Sequence, residues 1–259
     1  MKTINDFISF SKSSDKTALI FKKEHKWIRK TFSELLSDIF KMNRMIQTEI
    51  KDDNILIFSH PYKYDFFVTA FSVILSGKNL VIIDSFKDKI KLKSMIESAK
   101  IKTVICDDTT KYFGFIFPKT IKKINAKKCY SNQPLEVIKN SGKIITFTSG
   151  TTGNPKLIER DIEFLFKQIE MIKNNINLTN SELVYALLPM YALMSLFLGN
   201  TTIINRDPGK IRKFKPTALI TSIKSIKAIK NPINSVEHAF IGGAILYKKE
   251  AKMLLFLFQ

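Results

Sequence analysis

The sequence predicts an α/β fold, and three observations carry that prediction. Short apolar runs alternate with longer stretches in which apolar residues recur at helical spacing, the rhythm of strands and helices packed in layers. The chain has 259 residues, 45% of them hydrophobic, enough to bury one large core or two smaller ones. Finally, the run Thr148-Ser149-Gly150-Thr151-Thr152-Gly153-Asn154-Pro155-Lys156 leaves an apolar strand at 144–147. Loops at strand exits are where α/β proteins place ligands.

The elements follow in order. Residues 17–30 read as a hairpin turning near Lys23, Glu24 and His25. A helix succeeds it, with Thr31 as cap, Glu34 three residues on, and Leu35, Leu36, Ile39, Met42 and Ile46 along one face. Residues 54–58 form a buried strand. Residues 64–76 are apolar on nearly every side and stop at Gly77, a C-terminal helix cap. A strand at 80–83 ending in Asp84, a helix at 87–99 and a strand at 103–106 repeat the unit. The stretch 111–133 is less regular, and Ser131-Asn132-Gln133-Pro134 is read as the boundary between a first subdomain, 1–133, and a second, 134–259. Beyond it come the strand 144–147, the loop, a returning strand near 156–158 and a helix at 162–175 capped by Asp161. The apolar run 183–199 contains Pro189 and ends in Gly199, so it reads as a buried strand and a helix rather than a membrane span.

Charge and cysteine usage exclude some functions and leave others open. The formal charge of +19 suits anionic partners, but the lysines are scattered and no finger, aromatic RNA-binding strand or basic zipper is visible, so nucleic acid is not expected. Peripheral contact with a membrane surface stays open. Cys106 and Cys129 form no CxxC and lack neighbouring histidines, so the sequence offers no metal site. With no signal peptide in the first residues, a cytoplasmic location is expected. His25, His60 and His238 have no nucleophile elbow beside them and are assigned no direct chemistry.

The loop at 148–156 carries the chemistry. Its glycines let backbone N–H groups turn toward an anion, its hydroxyls add donors and Lys156 adds a charge. It is not a Walker A loop: Asn154 and Pro155 separate Gly153 from Lys156, and Leu157 follows the lysine where Ser or Thr would be needed. It resembles instead the phosphate-loop signature of the adenylate-forming superfamily, which includes acyl-CoA synthetases, luciferases and peptide-synthetase adenylation domains. Further segments resemble that family in the same order. Residues 76–84 look like its strand ending in a Pro-Leu-Asp turn, with only Asp84 kept. Leu188-Pro189-Met190-Tyr191-Ala192 looks like its Leu-Pro-aromatic-His segment, with Ala192 in place of the histidine. Phe240-Ile241-Gly242-Gly243-Ala244 resembles its adenine-facing strand end, followed by a helix at 247–258.

The resemblance implies the N-terminal domain of the adenylate-forming fold, two mainly parallel sheets with packed helices, incomplete at the C-terminus. It implies ATP as substrate, with magnesium at a site only partly present, and a carboxylic acid activated to an acyl-adenylate. The acceptor would be the thiol of coenzyme A or of an acyl-carrier protein. Thr148, Ser149, Thr151 and Thr152 would hold the β- and γ-phosphates, Gly150 and Gly153 would let the loop move, and Lys156 would orient the pyrophosphate. Gly242, Gly243 and Ala244 would lie against adenine. The family's Thr-Glu turn, ribose-binding Asp, hinge and catalytic lysine are expected beyond Gln259. That leaves a fragment or frameshifted product, a remainder supplied elsewhere, or a shortened relative that binds nucleotide or acyl groups without catalysis.

Overall fold

A computed structural model describes the chain except residues 1–2, 84–87, 109, 111–115, 131–133, 135–141, 150–154, 177–181, 243–246 and 259. The chain opens with α1 (Ile4–Lys12), which starts on a reciprocal capping box between Thr3 and Asp6. The expected hairpin follows as β1 (Thr17–Lys23) and β2 (Lys26–Thr31), then α2 (Phe32–Glu49) and β3 (Asn54–Phe58). Helix α3 (Tyr64–Leu75) is buried along nearly its whole length and ends where Gly77 takes φ 74°, the left-handed conformation that a glycine adopts without strain. Next come β4 (Asn79–Val81), α4 (Lys89–Ser98) capped by the Asp88 carboxylate, β5 (Thr103–Cys106) and β6 (Lys122–Asn125). Then follow β7 (Lys143–Ser149), β8 (Pro155–Asp161), α5 (Ile162–Ile176), β9 (Leu183–Ala186), α6 (Pro189–Phe197) and β10 (Thr201–Ile204). The last elements are α7 (Ile211–Phe214), β11 (Ala218–Ser222), α8 (Ile223–Ile226), β12 (His238–Gly242) and α9 (Lys248–Leu257).

These elements form two compact units, Met1–Ser33 with Lys167–Gln259, and Glu34–Phe166. The sequence reading divides the chain at 133/134 instead. The discontinuous unit arises because β1 pairs in parallel with β10, Leu19 beside Thr202, joining the first residues to the last third of the chain.

Among the described residues each unit has one six-stranded sheet. In the discontinuous unit the order is β12-β11-β9-β10-β1-β2, all neighbours parallel except β1 and β2. In the continuous unit it is β6-β5-β3-β4-β7-β8, all parallel except β7 and β8. Both sheets are mainly parallel, as expected of this fold, and each ends in an antiparallel strand. Parallel strands covered on both faces read as continuous apolar runs, which is why Ile55, Leu56 and Val104 have no exposed surface.

Candidate functional site

The site is built on β7, whose placement begins before the strand does. A side chain at Gly142 would put its Cβ 2.4 Å from the Lys78 carbonyl oxygen, so only glycine lets the chain pass this close. The Lys143 N–H then donates to Asn79 Oδ1 at 3.0 Å, Asn79 Nδ2 donates to Asn54 Oδ1 at 2.7 Å, and Asn54 Nδ2 donates to the Ala99 carbonyl at 2.6 Å. This amide chain fixes the start of β7 beside β4, with Leu80 beside Ile144 and Val81 beside Ile145. A one-residue slip would exchange the faces, so the register decides which side chains meet solvent.

That register sorts the hairpin. Ile145, Phe147 and Leu157 pack into the core cluster around Leu56, Val81 and Val104. The other face carries Thr146, Thr148, Lys156, Ile158 and Arg160, since Thr146 lies opposite Ile158 and Thr148 opposite Lys156. Thr148 and Lys156 are exposed. Directly opposed residues of an antiparallel pair have their Cβ atoms about 5 Å apart, so hydroxyl and ammonium flank the loop from its two stems. Ser149 pairs with Pro155, the last rung before residues 150–154. Gly150, Thr151, Thr152 and Gly153 lie outside the described residues, as do Asp84, Gly243 and Ala244.

One residue of this face is not apparent from composition. Arg160 Nη1 donates to Thr146 Oγ1 at 2.7 Å, placing a guanidinium two rungs down the stem from Lys156. The signal was present: residues 156, 158 and 160 share a face once the segment is read as a strand of period two. On the opposite face Lys143 Nζ meets Glu159 Oε2 at 2.8 Å, and that hydrogen bond, with the carboxylate's charge, raises the Lys143 ammonium above its ordinary value.

In the other unit, Gly242 ends β12. A Cβ there would meet Tyr191 Oη at 3.8 Å and Phe240 at 3.9 Å, ordinary contacts, and its φ is not positive, so neither packing nor backbone requires a glycine. Tyr191, in the first turn of α6, stacks at a tilt on Phe240 with ring centroids 4.9 Å apart. Beneath them a cavity of about 20 Å³ is lined by Met194, Ile220 and His238 among others. Ala192 is fully buried.

Away from the hairpin, side-chain hydrogen bonds and buried thiols pack the strand ends. Asp107, buried after β5, accepts from Ser59 Oγ at 2.9 Å, from the His60 N–H at 2.9 Å and from the Thr110 N–H at 2.7 Å, tying the exits of β3 and β5 together. Cys106 and Cys129 are buried and free, and burial pushes their thiols up to about 11 and about 12. Among the described residues no three His, Cys, Asp or Glu gather as a metal site, and no helix is long and apolar enough to cross a membrane.

A model of the family described as AMP-binding enzyme matches residues 8–217. No curated protein sequence matches the chain. Among solved structures, a fatty acyl-adenylate ligase from L. pneumophila in complex with acyl adenylate and pyrophosphate is similar at a TM-score of 0.81 and 15% identity, over 100% of this chain and 54% of that one. The O-succinylbenzoate coenzyme A synthetase (MenE) from Bacillus subtilis in complex with AMP is similar at 0.78 and 15%, over 95% and 55%. The nonribosomal peptide synthetase FmoA3 in its α-methyl-L-serine-AMP-bound form is similar at 0.78 and 12%, over 95% and 30%. The chain spans about half the length of the first two, and at these identities the likeness is one of fold.

Proposed function

Because this chain belongs to the family of AMP-binding enzymes, we propose that its β7–β8 hairpin holds the β- and γ-phosphates of ATP for the activation of a carboxylic acid. The observation that carries the proposal is the pairing of exposed Thr148 with exposed Lys156 on either side of a loop of glycines and hydroxyls. In the reaction a carboxylate oxygen attacks the α-phosphorus, the bond from that phosphorus to the α,β-bridging oxygen breaks, and pyrophosphate leaves with both electrons. The products are an acyl-adenylate and pyrophosphate, and the acyl group then passes to the thiol of coenzyme A or a carrier protein. In-line displacement of this kind needs positioning and neutralised phosphate charge more than covalent help from the protein.

Each residue then has a role. Ser149, Thr151, Thr152 and Thr148 donate hydroxyl or backbone hydrogen bonds to phosphate oxygens, and Lys156 neutralises the departing pyrophosphate. Gly150 and Gly153 allow the backbone to approach the phosphates closely. Gly242, Gly243 and Ala244 give the adenine a flat strand end, which agrees with a glycine that packing does not require at 242. Magnesium would accompany the nucleotide's phosphates at a site only partly present in this chain, and no step is assigned to it. A second reading is a module that binds nucleotide without completing the reaction.

Thermal melts test the proposal. ATP and pyrophosphate should raise the melting temperature, and Lys156→Ala should weaken their binding by about 1.5–3 kcal/mol, the value of a charge-assisted contact. The melt without ligand should not move, because Lys156 is exposed. Equal protection of variant and parent would overturn the role of Lys156. Carboxylate-dependent exchange of labelled pyrophosphate into ATP by residues 1–259 tests the second reading: turnover would overturn a module that binds without reacting, whereas the enzyme reading, whose catalytic lysine is expected outside these residues, does not require exchange from them alone.

A further inference from the structure

We propose that the free edge of β6 is a docking strip for an acidic polypeptide segment, which adds to the sheet as an extra strand. β6 ends its sheet: β5 lies on one side, and among the described residues no strand pairs with the other. The Lys122 N–H is donated to the Lys102 carbonyl at 2.8 Å, toward β5. Strand alternation therefore turns the main-chain N–H and C=O of Lys123 to the open side.

Charge and shape at this edge select the partner. Residues 119–128 include Lys119, Lys122, Lys123, Lys127 and Lys128 and no Asp or Glu, and all five lysines are exposed. Lys127 pairs with Asp108. A groove of about 430 Å³ runs along the strand, lined by Met45 and Glu49 of α2, by Lys123, Ile124 and Asn125 of β6, and by Lys128. Lys122 Nζ closes one end on the Glu49 carbonyl at 3.2 Å. Two copies of this edge laid together would set lysine against lysine, which protects an open strand from self-pairing. A segment of alternating acidic and apolar residues meets no such repulsion. Its main chain pairs with β6, its acids lie against Lys123 and Lys128, and its apolar side chains follow Ile124 and Met45. Among the described residues lining the groove Glu49 is the single acid, so the field along it favours an anion.

The test uses the whole 1–259 chain and a fluorescent peptide of alternating Glu and Val, followed by anisotropy. Binding is expected, and the double change Lys123→Glu with Lys128→Glu should weaken it by about tenfold, the loss from two solvent-facing ion pairs. Lys230→Glu, in the other unit, should leave it unchanged. A Glu-Pro peptide of equal charge loses every second N–H, and its prolines hold φ at about −65° in the polyproline conformation rather than the β strand, so it should not bind; equal binding would overturn the added strand. Amide exchange at Lys123 should slow when the Glu-Val peptide binds, and unaltered exchange would do the same. Binding of phosphatidylserine vesicles or duplex DNA through these lysines, with no binding of the peptide, would overturn the proposal in favour of a lipid or nucleic-acid surface.

Discussion

The two sheets end in hairpins of the same plan and opposite loop chemistry. In β1–β2 the last rung pairs Lys23 with Lys26, so the chain reverses over Glu24 and His25, with Glu24 at φ 55°. In β7–β8 the last rung pairs Ser149 with Pro155, and five residues, 150–154, lie between. Each hairpin joins a parallel strand to an antiparallel edge strand. The first shows that this architecture reverses direction in two residues, without glycine. The second therefore carries more residues, and more permissive ones, than a reversal needs. Sequence that the fold does not demand is where ligand chemistry is to be sought.

The strongest way to break this comparison is to make the loops alike. Replacing residues 150–154 with Asn-Gly gives β7–β8 a two-residue turn suited to a hairpin. Protection by ATP and pyrophosphate in a melt should vanish. The urea midpoint should move little, since shortening a loop by this much changes closure entropy by about 1 kcal/mol. A collapse of the fold would show that the loop is structural, and retained nucleotide protection would place the phosphates elsewhere.

The comparison also says that the strands behind the two loops are equivalent. Leu19 in β1 has no exposed surface, and Ile145 in β7 has 1%. Leu19→Ala and Ile145→Ala should each cost about 3 kcal/mol in urea unfolding, the usual loss for a large buried side chain cut to alanine. A much smaller loss at either position would mean that its strand is a peripheral addition to its sheet.

How much of this was legible depended on how local each signal is. Buried strands such as Ile55-Leu56-Ile57 were visible because an apolar run is its own evidence, and the stop at Gly77 because one residue type suits the left-handed turn. The pairing of β1 with β10 was not visible: Leu19 and Thr202 meet across most of the chain, and no periodicity encodes a distant partner. Helices α7 and α8 span four residues each, about one turn, too short to display a helical period. Strand β6 is half lysine, so it lacks the apolar pattern of an interior strand. Helix α1 was legible in principle from Thr3 and Asp6, the two ends of its capping box. In the site, loop composition announced Lys156, whereas Arg160 emerged only once the register had put it on the same face.

The smallest effect tests whether that face is organised or merely exposed. Arg160 is half-buried and donates to Thr146 Oγ1 at 2.7 Å, which holds the guanidinium over the strand rather than free in water. Thr146→Val keeps the branched shape that suits a strand and removes the acceptor. The fold should lose about 1 kcal/mol or less, because the freed guanidinium can turn to solvent. If Arg160 contributes to the field that draws phosphates to the loop, the same variant should weaken pyrophosphate binding by a few-fold and steepen its loss with salt, as expected of a charge that has become mobile. Lys143→Gln, on the opposite face, should leave pyrophosphate binding unchanged, since that ammonium is engaged with Glu159. Equal effects of the two changes would mean that the hairpin acts through overall charge, and the two faces of β7–β8 would then differ in packing alone.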